Sequence, residues 1–224
     1  MAKTHLTIAE TVQMLLHVCR GMQASKDLLS EADRAIGDGD HGVGMARGFE
    51  VAQQKLESQP ATTLEELFKT VGMALLTSVG GAAGAVFGTL FRGGARNLAG
   101  REHFDTAALA GWLQDGLQAV QERGRAQVGD KTMVDALQPA ALRAQELISL
   151  PLDEALPQVA EAARLGVERT KDMVATVGKA KTLGERALGH PDPGALSTYL
   201  ILKYMAEYVA ETRGASPQPG TGAP

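Results

Sequence analysis

Asp33, Asp38 and Asp40 are three carboxylates within eight residues, interleaved with glycines 37, 39 and 42. Carboxylates this close repel one another unless a cation or protons neutralise them. Glycine lets the backbone bend so that alternate side chains can converge. An all-oxygen donor set suits Mg²⁺, Ca²⁺ or Mn²⁺ rather than zinc. An EF-hand is excluded, because its closing glutamate would fall on Phe49. A solvated turn with helix caps accounts for the same three residues. His41 follows directly, and either a ligand contact or a structural hydrogen bond suits it.

Three further segments combine glycine with unusual polar residues: 78–84, 124–133 and 179–194. In the first, Gly80-Gly81-Ala82-Ala83-Gly84 ends one helix and opens another. Free N–H groups there could hold phosphate, and a tight helix crossing explains the small residues equally well. Gly129-Asp130-Lys131-Thr132 reads in isolation as a helix start. In the last segment Lys179, Lys181 and Arg186 face either anionic phosphate or solvent, and Asp192-Pro193 is a good N-cap and N1 pair. His5, His17 and His103 lie outside these segments and read as structural or surface residues.

The elements that must position these segments read as helices. The chain has 35 Ala and 27 Leu but only 4 Ile, and Ala and Leu favour helix whereas strands favour β-branched and aromatic residues. No run alternates convincingly with period two, so the fold class is all-α. Thr7-Ile8-Ala9-Glu10 and Thr63-Leu64-Glu65-Glu66 are capping boxes. Eight amphipathic helices are predicted, over about 7–31, 45–56, 63–80, 85–98, 105–124, from 130 onward with a kink at Pro139, 153–177 and 192–212. Short connections favour antiparallel neighbours. The four unusual segments follow the first, third, fifth and seventh helices, so an up-down bundle would gather them at one rim. One helical domain is expected over 1–213, with a disordered tail of Gly, Pro, Ser, Thr, Gln and Ala at 214–224.

Composition narrows the class of function. With 224 residues and a formal charge of −4, no basic surplus points to nucleic acid. One cysteine, Cys19, excludes an intrachain disulfide and a thiolate metal cluster. Residues 70–91 carry no charge, but Gly80, Gly81 and Gly84 interrupt them, which favours two buried helices over a membrane span. The N-terminus lacks a continuous apolar signal core, so a cytoplasmic location is expected. The P-loop pattern G-x-x-x-x-G-K-S/T is absent, and no G-x-G-x-x-G joins a strand to a helix, so a Rossmann site is unsupported.

Together the segments AIGDGDHGVGMARGF at 35–49, SVGGAAGAVFGTLF at 78–91, RGRAQVGDKTMVDAL at 123–137 and KAKTLGERALGHPDPGA at 179–195 resemble the nucleotide-binding L subunit of bacterial dihydroxyacetone kinases. The likeness runs in order from about residue 5 to 210. The resemblance implies a barrel of eight antiparallel helices. It implies that Asp33, Asp38 and Asp40 hold two Mg²⁺ ions bridging nucleotide phosphates. It places His41, Gly42, Val43, Gly44, Ala82, Ala83, Gly124, Met133, Lys179, Asp192, Pro193 and Gly194 around ADP or ATP.

The implied partners are a separate K subunit that carries dihydroxyacetone covalently on a histidine, and a phosphohistidine protein of the phosphotransferase system that recharges retained ADP. Oligomeric state, including a homodimer, is left open. Three departures stand out: Gly44 for a usual asparagine, Ala83 for a usual serine and Lys179 for a usual arginine. They bear on nucleotide affinity, and they are also compatible with a paralogue acting by ATP on a related ketose such as a tetrulose. A non-catalytic helical lipid-binding or regulatory homologue is the alternative of a different class. The three aspartates and His41 argue against it.

Overall fold

In the computed structural model, residues 2–59 and 61–213 are described. The tail expected to be disordered at 214–224 lies outside them. The helices are α1 (Ile8–Ala24), α2 (Lys26–Ile36), α3 (His41–Ser58), α4 (Leu64–Ser78), α5 (Gly81–Gly94), α6 (Thr106–Gly124), α7 (Val134–Glu146), α8 (Leu152–Thr170) and α9 (Pro193–Glu211). Short 3-10 segments span Ala95–Leu98 and Lys179–Ala187. Each long helix packs on the next, and α9 returns to α1, so α1, α3, α4, α5, α6, α7, α8 and α9 close a ring of eight. The ring matches the expected barrel. The ninth helix, α2, lies against α3 and α9.

The extra helix comes from a break in the first predicted one. The Ser25 hydroxyl donates to the Gly21 carbonyl and also bonds the Tyr204 hydroxyl, and the chain turns there into α2. Two three-residue strands, β1 (His5–Thr7) and β2 (His103–Asp105), also escaped the all-helical reading. They pair antiparallel with Leu6 opposite Phe104, both fully buried. Three residues are too short to show alternation. Two helices start earlier than predicted, at His41 and Gly81 rather than 45 and 85, and α8 ends at Thr170 rather than 177. Glycine weakened the helical pattern at both early starts. Pro139 sits inside the continuous α7.

The caps follow the sequence. Thr7 and Glu10 form the reciprocal box at α1. At α4, Thr63 accepts from Glu66 N, but Glu66 reaches back to Thr62 N rather than to Thr63. The few aromatics are concentrated in the core: Phe49, Phe68, Phe91, Phe104 and Trp112 are all buried. Phe68 stacks on Phe104 at 5.4 Å and meets Trp112 edge-on at 5.2 Å between centroids. Cys19 is buried, and desolvation pushes its thiol up to about 12, so it stays protonated. Among the described residues no helix is long and apolar enough to cross a membrane. The uncharged stretch is α4 and α5, folded back on each other.

That fold-back depends on glycine. A Cβ on Gly88 would lie 2.8 Å from Leu76 Cβ and 2.9 Å from the Gly72 carbonyl. Alanine would gain helix propensity of about 1 kcal/mol, but the carbonyl can move only if the helices separate. Gly88→Ala should therefore lower stability by about 1–3 kcal/mol, the scale of overpacking. Urea unfolding followed by far-UV circular dichroism reads this, and a stabilised variant would show that α4 and α5 are not in tight contact.

Candidate functional site

The four unusual segments meet at one end of the ring. Asp33 lies in the last turn of α2, 7% exposed, and its Oδ2 accepts from His41 N at 3.1 Å. It thus does the capping that the sequence left as an alternative, at the start of α3. Gly39, at φ +79°, turns the chain between Asp38 and Asp40. One carboxylate oxygen from each of Asp33, Asp38 and Asp40 lies within 4.8 Å of the others. Asp38 and Asp40 are exposed.

Lys179 arrives from the 3-10 segment and bridges the two exposed carboxylates, with Nζ 2.5 Å from Asp38 Oδ2 and 3.7 Å from Asp40 Oδ1. Its hydrogen bond holds the Asp38 carboxyl below the usual carboxylate range and raises the lysine in return. The predicted phosphate-facing cation is therefore engaged with the acids. An ammonium on a flexible stem goes to the strongest local negative potential. Lys181 and Arg186 remain exposed on the same segment.

His41 is half-buried at the start of α3. Its Nε2 is 2.8 Å from Ser197 Oγ on α9, and its ring lies 6.3 Å from that of Phe87. Burial lowers its pKa against the pull of Asp33 and Asp40, which favours the neutral ring. Gly42 is buried against α2, where a Cβ would overlap the Lys26 carbonyl and Ser30. Gly44 is buried too. A Cβ there would lie 2.8 Å from the Val79 carbonyl, so the asparagine usual at this position would not fit this turn. Val43 between them is 52% exposed. Neither α3 nor α5 has a side-chain N-cap bond. Their first N–H groups, at Gly42 and Val43 and at Gly81, Ala82 and Ala83, form two open anion-seeking ends. Around Gly81, at φ +56°, a Cβ would meet nothing within 4 Å.

The other two segments complete the rim. Gly124 is the exposed last residue of α6, and a Cβ on it would lie 3.8 Å from Val86 of α5. Met133 is buried under Gly194, whose Cβ would be 3.4 Å from Met133 Cβ. Asp192 caps α9 by accepting from Ala195 N at 2.7 Å, with Pro193 at the first helical position as expected. Desolvation pushes the Asp192 carboxyl up to about 7.

Several rim residues carried no signal in the sequence. Arg47 donates to the carbonyl oxygens of Ser78 at 2.6 Å and Val79 at 2.9 Å, tying α3 to the α4–α5 turn. Ser197 orients His41. Asp135 accepts from Gly129 N and Thr132 N at 2.6 and 2.7 Å, which shapes the turn before α7. Tertiary contacts reveal the roles of Arg47 and Ser197, whereas that of Asp135 is local to the turn.

A family model described as the DAK2 domain matches residues 35–207. The chain is 39% identical over 205 residues to the PTS-dependent dihydroxyacetone kinase, ADP-binding subunit DhaL, of Lactococcus lactis, covering 92% of this chain and all of that one. It is 38% identical over 186 residues to the PEP-dependent dihydroxyacetone kinase 1, ADP-binding subunit DhaL, of Listeria innocua, covering 83% of this chain and 89% of that one. The solved dihydroxyacetone kinase from C. freundii in complex with AMP-PNP and Mg²⁺ superposes with a TM-score of 0.71 at 28% identity. That match covers 92% of this chain and 35% of the solved one, so the chain spans about a third of that kinase.

Asp192 gives a test with a defined sign. Its folded pKa of about 7 stands above an unfolded value near 3.8. The native state therefore holds a proton that the unfolded state has lost, and stability falls as pH rises through this window. Wild type should lose roughly 2–4 kcal/mol between about pH 4 and pH 7 relative to Asp192→Asn, at about 1.4 kcal/mol per unit. Asparagine keeps the N-cap oxygen, so the variant profile should be flatter there. Parallel wild-type and variant profiles in pH-dependent urea unfolding would show that Asp192 is solvated.

Proposed function

The chain belongs to the DAK2 domain family, and from that premise we propose that it is the ADP-binding subunit of a dihydroxyacetone kinase, with its helical unit 1–213 working against a separate subunit that holds dihydroxyacetone. The observation that carries the proposal is the convergence of Asp33, Asp38 and Asp40 with Lys179 beside the open N-termini of α3 and α5. A three-carboxylate cluster that draws in an ammonium has the charge demand a divalent cation would meet. Helix ends whose own N-cap residues make no side-chain bond, with only His41 N taken up by Asp33, supply the complementary seat for phosphate.

In this reading Asp33, Asp38 and Asp40 would hold two Mg²⁺ ions. Gly42 and Val43 at the start of α3 and Ala82 and Ala83 at the start of α5 would offer free backbone N–H groups to the phosphates, while His41 and Gly44, whose N–H groups bond Asp33 and the Asp40 carbonyl, would line the same seat. Gly124, Met133, Asp192, Pro193 and Gly194 close around the rest of the nucleotide, and Lys179 turns from the carboxylates to phosphate. The bound nucleotide supplies the phosphoryl group, and the ions supply charge neutralisation.

The chain's own residues position and exclude. Asp33 holds the start of α3 in place, Ser197 fixes the ring of His41, and burial favours the neutral imidazole, so it would add a hydrogen bond without a charge. Among the described residues no second acid–base pair stands at the rim, and the base for the sugar hydroxyl is proposed to lie on the partner subunit. The two dihydroxyacetone kinase relatives favour dihydroxyacetone over a tetrulose. Their description as PTS-dependent or PEP-dependent and ADP-binding is the support for a donor from the phosphotransferase system, which in this reading would be a phosphohistidine protein acting on retained ADP.

Native and denaturing mass spectrometry of purified protein should find ADP retained through dialysis in Mg²⁺. Rapid exchange with labelled ATP, and turnover on ATP alone with the K subunit, would overturn the retained-cofactor form. Asp38→Asn and Asp40→Asn keep side-chain size but remove ligand charge. Each should abolish stabilisation by Mg-ADP while leaving far-UV helicity and the metal-free melting temperature near wild type, since both side chains are exposed. Undiminished Mg-ADP binding in both variants would remove the metal assignment.

Lys179 gives an opposed pair of signs. Lys179→Ala should strengthen Mn²⁺ binding to nucleotide-free protein, because a tethered competitor is lost. The same variant should weaken Mg-ADP binding, and Lys179→Arg should retain or tighten it. Isothermal titration reads both arms, and equal Mn²⁺ affinity in wild type and Lys179→Ala would show that the lysine does not compete.

A further inference from the structure

Lys131 is a buried cation that the reading above does not use. It is 2% exposed, and its backbone is left-handed at φ +61°. That conformation costs an ordinary residue about 1–2 kcal/mol, so the surroundings must impose it. Asp135 does so from the first turn of α7, gathering Gly129 N and Thr132 N on either side of Lys131. The side chain then runs inward. Its Nζ donates to the Thr170 carbonyl at 2.5 Å and to the His190 carbonyl at 2.7 Å. Thr170 is the last residue of α8, where carbonyls lack intrahelical donors and a cation is favoured. His190 belongs to the stretch that leads into Asp192 and α9.

The same junction is stitched twice more. Thr170 Oγ1 accepts from Asp192 N at 2.9 Å, and Gly189 N donates to the Lys171 carbonyl at 2.8 Å. Lys131 is thus the strut between the turn carrying Met133, the end of α8 and the stretch carrying Asp192, Pro193 and Gly194. The opposing charges of Asp192, Asp172 and Asp135 offset the desolvation that lowers its pKa.

We infer that Lys131 is a positioning residue for the nucleotide site, fixing residues 189–194 against Met133 through the carbonyl oxygens of Thr170 and His190. The inference rests on the kinase reading for the identity of the ligand, but not for the dependence of the 189–194 stretch on Lys131. A buried ammonium suits this role. One nitrogen with three donors can join two carbonyls from different segments at a single point. An apolar side chain of similar length would leave the His190 carbonyl without this donor and the Thr170 carbonyl with only the Met173 N–H at 3.2 Å.

The test uses the full chain, with Lys131→Met, Lys131→Arg and a control, Leu64→Ala, which opens the core at the start of α4. Mg-ADP affinity is measured by titration at a temperature where each variant is folded, and amide exchange is followed at 189–196. Lys131→Met should raise the Mg-ADP Kd about tenfold or more, the scale on which loss of a supporting contact is felt at a site. Exchange at 189–196 should quicken while that in α4 and α5 stays as in wild type. Leu64→Ala should lower the melting temperature yet leave the Kd near wild type, which separates positioning from general stability.

Should Lys131→Met fail to fold, Lys131→Arg decides. It keeps the charge, but its larger planar fork does not fit the place of a compact ammonium at a position only 2% exposed, so the Kd and the 189–196 exchange should both rise. Wild-type Kd and wild-type exchange in whichever variant folds would overturn the inference, as would a Kd change no larger than that of Leu64→Ala. Wild-type protein that binds no Mg-ADP would overturn the kinase reading instead, and the exchange arm would then decide the role of Lys131 alone.

Discussion

Three carboxylates held within 4.8 Å of one another demand positive charge, and much of the rim is arranged around that demand. Asp33 is committed first, because its carboxylate caps α3 and is nearly buried. Asp38 and Asp40 follow on the same short turn, and their repulsion is relieved by Lys179 from 139 positions further along the chain than Asp40. A lysine with 65% of its side chain exposed gains little from such a pair in isolation. Its geometry is informative for another reason. It shows where the local potential is most negative, and it does so with a group that can leave.

The closed ring makes this convergence possible. Neighbours joined by short turns alternate direction, so every second connection falls at the same end. The α2–α3, α4–α5 and α6–α7 connections and the long α8–α9 connection therefore share a rim although they are scattered over the sequence. Gly88 and Gly116 let α5 press on α4 and α6. A Cβ on Gly116 would lie 2.7 Å from Leu90. Close packing there brings the open N-terminus of α5 beside that of α3, and Arg47 fixes the spacing by holding the Ser78 and Val79 carbonyls. Two helix ends and a carboxylate cluster would be unrelated features in a looser bundle.

Much of this was legible in the sequence, for identifiable reasons. Helix identity came from Ala and Leu content and from side-chain caps such as Thr7–Glu10 and Asp192–Ala195, which are local and short-range. The rim followed from counting helices, and it survived the split at Ser25 because α2 lies alongside α3 and α9 rather than entering the ring. The β1–β2 pair was invisible because its stability comes from burying Leu6 and Phe104 across about 98 intervening positions, not from any local pattern. Lys131 was misread for a related reason. As a tetrapeptide, Gly129-Asp130-Lys131-Thr132 is an ordinary helix start. Its meaning lies in two carbonyls contributed by residues 170 and 190.

The departures at positions 44 and 179 acquire different meanings from this geometry. Gly44 is a packing requirement: with the Val79 carbonyl so close, the backbone of α3 approaches the α4–α5 turn more tightly than any side chain would permit. The close approach sets the start of α3 against the α4–α5 turn. Lys179 is a choice of a different kind. A guanidinium would offer a flat fork suited to two phosphate oxygens, whereas the ammonium is a compact point charge that serves carboxylates and phosphates alike. In this chain the rim relies on close backbone approach where a side-chain amide is usual, and on a mobile cation where a directional one is usual. Both changes shift the polar character of the rim from side-chain hydrogen bonds toward backbone dipoles and net charge, so the potential at this end of the ring depends on how rigidly the helix N-termini are held.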